Sequence, residues 1–430
     1  MAILAIQGGD PIRTEPFPAY ITIGEEEKEA VCKVIDSGCL SKYLGAWHEQ
    51  FNGGDQVRAL EEEWATYFGV KHAIAVNSCT SGLYCAVGAT GIEPGEEVIV
   101  SPYTMSASAT APLIYNAIPI FSDIELDCYC LDPEDIERKI TKKTRAIIVV
   151  DIFGQPYNAK AINEIAKKYN LIVIEDVAQA PGAKLNGKFA GTLGDIGVFS
   201  LNYHKHIHSG EGGVIVTDND ELAEKCRLIR NHAEAVVEDM KFSDLRNMIG
   251  FNYRMTEIEA AIGRIQLRKL EGLNEKRIDN VYYIESKLSH IPALSFPKVR
   301  KDAEHVYYVH ACKFDEQIAG IGRNTFIDAV RAELPYHKLR EQEGVKISSG
   351  YVKPLYLQPM FQERIAYGSK GYPFSESDVD YNSAACPITE RMYFSELFVH
   401  EFILPSMEKT DLDDVVLAFN KVWKFRYELL

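Results

Sequence analysis

The chain has 430 residues, more than a single hydrophobic core usually organises, so two domains are expected. Apolar residues make up 46% and charged residues 25%, a balance that suits a folded globular protein and leaves little room for disorder. A net charge of -16 disfavours general nucleic-acid binding, although backbone amides can still build a local phosphate site inside an acidic protein.

The first residues lack a basic segment before their short apolar run, so they do not read as a secretory signal. No stretch reaches membrane-spanning length. The nine cysteines are scattered and odd in number, which suggests free thiols in a reducing cytoplasm. From there the chain alternates short apolar runs with helical patterns. Strands are expected at Ala73–Val76, Val98–Val100, Ile120–Asp123, Ala146–Val150, Leu171–Glu175, Ile196–Ser200 and Gly213–Thr217. These runs are uninterrupted rather than alternating, as in a mainly parallel sheet covered on both faces by helices. Helices are expected at Ser81–Gly88, Ala159–Tyr169 and Asp220–Arg230, giving an α/β fold. Further on, Thr256 and Glu259 make a capping box for a helix through Leu270. Helices and strands then mix, with a loop-rich stretch from Gly344 to Tyr381. The expected division is a large domain over residues 1–265 and a smaller C-terminal α+β domain over 266–430, with the N-terminal segment able to join either.

Three segments carry chemistry, each at a strand's C-terminal end, where α/β sheets gather ligands. After Val76 comes Asn77-Ser78-Cys79-Thr80-Ser81-Gly82 and a helix start, which reads as an anion site or as an ordinary helix cap. The strand ending at Glu175 runs into Asp176-Val177-Ala178-Gln179. A buried acid there needs a partner, and a protonated ring nitrogen would be one; a helix-capping acid is the plainer reading. After Ser200 comes Leu201-Asn202-Tyr203-His204-Lys205, leading to Gly210-Glu211-Gly212-Gly213. Partial desolvation would make Lys205 a usable nucleophile and base, though loop lysines are more often plain solvated charges. His204, His206 and His208 alternate like metal ligands, but no sequence neighbour completes a zinc set.

The blocks GGDPIR (8–13), NSCTSG (77–82), GIEPGEEVIVSPYT (91–104), IEDVAQAPGA (174–183), GDIGVFSLNYHKHIHSGEGG (194–213), GFNYRMTEIEAAIGRIQL (250–267), YVKPLYLQP (351–359) and ACPITER (385–391) span nearly the whole chain. In this order they resemble the DegT/DnrJ/EryC1/StrS sugar aminotransferases, within the fold-type-I pyridoxal-phosphate enzymes. The resemblance implies a seven-stranded large-domain sheet and a pyridoxal 5'-phosphate cofactor that alternates with pyridoxamine 5'-phosphate. It makes Lys205 the lysine that bonds the cofactor and moves the substrate proton, and Asp176 the partner of the ring nitrogen. Gln179 would lie near the phenolic oxygen, and Cys79, Thr80 and Ser200 at the phosphate. Asn252 would reach that phosphate across a homodimer interface. Two positions depart from the family pattern. Cys79 stands where the phosphate loop usually has glycine, and Met105 where an aromatic residue usually stacks on the ring, a role that Tyr103 could share. Relatives with histidine at the lysine position act as dehydratases, so Lys205 favours amino transfer. The amino donor would be glutamate or glutamine. The acceptor would be a nucleotide-linked keto sugar or, as the alternative, a free ketocyclitol such as scyllo-inosose. A non-catalytic, cofactor-binding regulator is a reading of another class, but such regulators carry an added basic DNA-binding segment that this chain lacks.

Overall fold

The seven expected strands form, and they join one sheet. In the computed structural model, which describes residues 3–382 and 386–430, they are β1 (His72–Val76), β2 (Glu97–Val100), β3 (Ile118–Phe121), β4 (Thr144–Val150), β5 (Ile172–Asp176), β6 (Ile196–Ser200) and β7 (Gly213–Thr217). Their order across the sheet is β1-β7-β6-β5-β4-β2-β3. Strands β2 to β6 pair in parallel, and β7 runs antiparallel to both neighbours. Of the block ACPITER, Ala385 lies outside the described residues.

The uninterrupted apolar runs have a simple cause: both faces are covered. The large-domain helices include α1 (Asp55–Phe68), α2 (Cys79–Ala89), α3 (Ala159–Tyr169) and α4 (Asp220–Arg230). Ala146 and Ile148 of β4 enter one core with Leu83 and Ala86 of α2 and Ala223 of α4. Ile147 and Val149, the alternate residues, enter another with Ile162 and Ala166 of α3. Period-two alternation places successive side chains on opposite faces, so a doubly covered strand is apolar on both faces up to the end that meets the cavity. Toward the β1 edge, Trp64 of α1 packs against Phe199 of β6.

Helix α5 (Glu257–Leu288) begins at the expected capping box: the Thr256 hydroxyl accepts from the Glu259 amide at 3.2 Å, and the Glu259 carboxylate accepts from the Thr256 amide at 2.8 Å. It continues well past Leu270. Its first half packs on α1, and Val281, Ile284 and Leu288 enter a separate core. The expected division at 265/266 therefore falls inside this helix. The second core lies under a four-stranded antiparallel sheet of β8 (Leu294–Ser295), β9 (His310–Phe314), β10 (Ile347–Ser349) and β11 (Leu397–His400), in the order β8-β9-β11-β10. Helices α6 (Arg323–Ala332) and α7 (Lys409–Phe425) complete it. Leu4 and Phe17 from the N-terminal segment are buried there, while Tyr356, Phe361 and Tyr381 return to the large-sheet core. The chain thus crosses between the cores several times.

Candidate active site

At the C-terminal ends of β4, β5 and β6, marked by Val150, Asp176 and Ser200, lies a cavity of about 380 Å³. Cys79, Thr80, Met105, Asp176, Gln179, Ser200 and Lys205 all line it. Asn252 does not: it is exposed, and its side chain accepts from Arg254 at 2.8 Å.

Asp176 closes β5 and is 5% exposed. One carboxylate oxygen accepts from the Ser108 hydroxyl at 2.7 Å, the other from the Ala178 amide at 3.1 Å, and the Cys79 thiol lies 3.9 Å away. Burial pushes its pKa up, and the hydrogen bonds and the Lys205 charge pull against that. Among the described residues no cation lies within ion-pair distance, so a buried acceptor faces a cavity with room for a cationic partner. Ser108 escaped the sequence reading because nothing local marks it; it meets Asp176 from 68 positions away.

Lys205 sits on a tight excursion between β6 and β7. The Tyr203 amide bonds the Gly210 carbonyl and the Leu201 amide bonds the Gly212 carbonyl, so the loop returns on itself. Gly212, at φ +147°, turns the chain where a Cβ would meet the Ser209 hydroxyl at 2.8 Å. Tyr20 donates to the His206 carbonyl at 2.6 Å, anchoring the loop to the N-terminal segment. The Lys205 ammonium lies 4.3 Å from the centre of the Tyr308 ring. Such an amine is held by a weak contact and is free to leave it.

Opposite, the Ser78 hydroxyl caps α2 by accepting from the Ser81 amide at 3.0 Å. The first-turn amides of Cys79 and Thr80 precede any intrahelical acceptor and add to the positive end of the helix dipole. The two readings of this segment, cap and anion site, are therefore compatible. Gly213 permits it, since a Cβ there would lie 2.7 Å from the Cys79 nitrogen. The Cys79 side chain turns toward Asp176 and the Val198 carbonyl, and burial pushes its thiol pKa well up, so it stays neutral.

Gln179 is bound at both ends: its oxygen accepts from the Phe153 amide at 2.8 Å and its amide donates to the Tyr351 hydroxyl at 2.9 Å. Tyr308 and Tyr351, from the C-terminal part of the chain, form the far wall. Met105 lies at the cavity edge, 59% exposed, with its sulfur accepting from the Ala107 amide at 3.2 Å. Tyr103 is fully buried and outside the cavity; its hydroxyl accepts from the Tyr351 amide at 2.9 Å. The three alternating histidines go separate ways. His206 is buried against the Val306 carbonyl at 3.0 Å, His204 meets Arg340 at 3.3 Å, and His208 lies near Gln266. Among the described residues, the one set near enough to share a metal is His310, Cys312 and His400 in the small sheet. There the His400 ring accepts from the Phe402 amide and bonds His310, which bonds Glu285, so each nitrogen is already committed.

A buried carboxylate, an amine and a helix N-terminus around one cavity suit a compound with a basic ring nitrogen, an aldehyde and a phosphate; together with the sheet, they define a fold-type-I pyridoxal-phosphate site. The profile of the DegT/DnrJ/EryC1/StrS aminotransferase family matches residues 22–419, and the chain belongs to that family. It is a pyridoxal-phosphate-dependent aminotransferase, and the reading of a non-catalytic regulator gives way. The chain is 30% identical over 408 residues to the spore coat polysaccharide biosynthesis protein SpsC of Bacillus subtilis, covering 94% of this chain and 95% of that one. It is 30% identical to the L-glutamine:2-deoxy-scyllo-inosose aminotransferase of Streptomyces paromomycinus, covering 97% of each. The crystal structure of DesI in the presence of its TDP-sugar product superposes with a TM-score of 0.80 at 25% identity, covering 99% of this chain and 97% of that one.

Proposed function

We propose that this aminotransferase moves an amino group from glutamate or glutamine to the ring carbonyl of a nucleotide-linked keto sugar, in amino-sugar biosynthesis. The observation that carries the reaction is the single cavity holding both Lys205 and Asp176. The similarity to DesI, whose product is a TDP-sugar, supports the acceptor. When bound, pyridoxal phosphate supplies a ring that takes up the electron pair left when the substrate's C–H bond breaks. Asp176, its oxygens fixed by the Ser108 and Ala178 donors, would accept the ring-nitrogen proton's hydrogen bond. The Thr80 and Cys79 amides and the Ser200 hydroxyl would hold the phosphate. Lys205 would hold the cofactor's aldehyde carbon, and its neutral amine, when free, would take the substrate's α-proton and return it nearby. Tyr308 would receive the protonated Lys205 ammonium on its ring face. The amino donor and the keto acceptor use the same cavity in turn, so ping-pong kinetics are expected.

A free ketocyclitol is the second reading, favoured by two observations. The deoxy-inosose aminotransferase aligns over 97% of both chains. Arg340, which reaches His204 at the cavity wall, is already paired with Glu343 at 2.7 Å and Glu401 at 2.6 Å, so it is not free for a diphosphate. Titration with UDP, GDP and dTDP separates the two. Binding of one nucleotide supports the nucleotide-linked sugar; no binding, with turnover of an inosose, overturns it in favour of the cyclitol.

We further propose that the protein works in the cytoplasm as a homodimer, with exposed Asn252 completing the neighbouring protomer's phosphate site. No helix among the described residues is long and apolar enough to cross a membrane. We place the division between large and small domains within α5, as the residue ranges 1–265 and 266–430 imply.

A further inference from the structure

Directly behind Asp176 lie two more carboxyl groups, Asp151 and Glu175, both 0% exposed. Val149 of β4 faces Glu175 of β5 in register, and the Asp151 amide donates to the Asp176 carbonyl at 3.1 Å, so all three acids meet at one strand end. Glu175 is saturated with donors: one oxygen accepts from the Gly191 amide at 2.6 Å, the other from the Leu193 and Gly194 amides at 3.1 and 3.2 Å. Asp151 is not. Its Oδ1 accepts from the Tyr157 amide at 2.8 Å, but its buried Oδ2 has no donor. An ionised Asp151 would leave that oxygen as an unpaired buried anion beside the Glu175 charge, which pushes its pKa up. A proton on Asp151 removes that charge and gives the oxygen a hydrogen to donate. The remaining titratable groups facing Asp151 are Asp176, the Tyr157 phenol and the Cys130 thiol, and among the described residues no cation pairs with it.

We propose that Asp151 is a permanently protonated carboxylic acid that donates its O–H to ionised Glu175, and that it is a positioning residue for Asp176. The strand end then carries two negative charges rather than three. A third anion would raise the proton affinity of Asp176 and favour its neutral form, which cannot pair with a protonated ring nitrogen. Burial and the Glu175 charge both push the Asp151 pKa well up, in keeping with this placement. The functional clause rests on the reading of Asp176 given above; the placement of the proton does not.

Asp151→Asn is the test, because an amide keeps both bonds, accepting from Tyr157 and donating to Glu175, but has no proton to lose. An acid whose pKa is raised on folding stabilises the protein below its unfolded value, near 3.9, and loses that contribution as pH rises toward the folded value. The D151N holoenzyme should therefore gain on the wild type by about tenfold in unfolding constant per pH unit from pH ~5 to ~7, read from urea midpoints. The wild type should also show an infrared carbonyl band of a protonated carboxyl at neutral pH that D151N lacks. A flat stability ratio with no missing band overturns the proposal. For the link to Asp176, Asp151→Ala leaves the Glu175 charge without its O–H donor, so the pH titration of the bound cofactor's absorbance should shift to higher pH, and D151N, a neutral donor for a neutral donor, should restore it. A titration that stays in place in Asp151→Ala, with the stability and infrared results intact, overturns the positioning role alone.

Discussion

In the proposed reaction Lys205 and Asp176 divide the chemistry, and their surroundings explain how. The lysine rests on an aromatic face, so it can move; the aspartate is fixed by Ser108 and Ala178, so it cannot. Lys205→Ala should abolish covalent retention of the cofactor after borohydride reduction and lower kcat by about 10²–10⁴-fold, as expected when a positioned acid–base group is lost. Ser108→Ala removes one donor to a buried carboxylate, a bond worth about 1.5–3 kcal/mol. Cofactor affinity measured by equilibrium dialysis should fall by about 10–150-fold, with the fold retained. The two variants differ in kind: the first holds cofactor without bonding it, the second bonds it but holds it less well. The place of Lys205 and Asp176 at one cavity was legible because each lies at a strand end or within a few residues of one. Ser108, Tyr308 and Tyr351 were not, because they arrive from remote parts of the chain and leave no local pattern. Tyr351, for instance, meets Gln179 across 172 positions.

Elements with strong local signals were read well. The β-branched runs gave the strands, and the capping box gave the start of α5. Thr256→Ala should remove that cap at a cost of about 1 kcal/mol, seen as a lower urea midpoint with the cofactor spectrum unchanged. The end of α5 was harder to read. After Leu270 the sequence turns to Glu271, Gly272 and a polar run, which locally argues for a stop. Tertiary contact overrides it, because Val281, Ile284 and Leu288 have a second core to enter. Sequence also could not say that Tyr356, Phe361 and Tyr381 return to the large-sheet core from a loop-rich stretch. Such burial depends on where the chain has already gone.

At the scale of the whole molecule, each site draws on both cores: Asp176 and Lys205 from the large sheet's end, Tyr308 and Tyr351 from the C-terminal part of the chain. The proposed dimer adds a third source. If Asn252 serves the neighbouring site, mixing inactive Lys205→Ala with an Asn252→Ala variant should restore activity. Mixed dimers then pair one damaged site with one intact one. Activity equal to the sum of the separate proteins would show that Asn252 acts within its own chain. The central claim, amino transfer through Lys205, has a more direct test. Holoenzyme is mixed with glutamate or glutamine and no keto acceptor, and its absorption spectrum is followed. At least one donor should convert the bound cofactor to its pyridoxamine form with release of the matching keto acid, and Lys205→Ala should not respond. An unchanged spectrum with both donors, or an equal response from Lys205→Ala, would contradict the account.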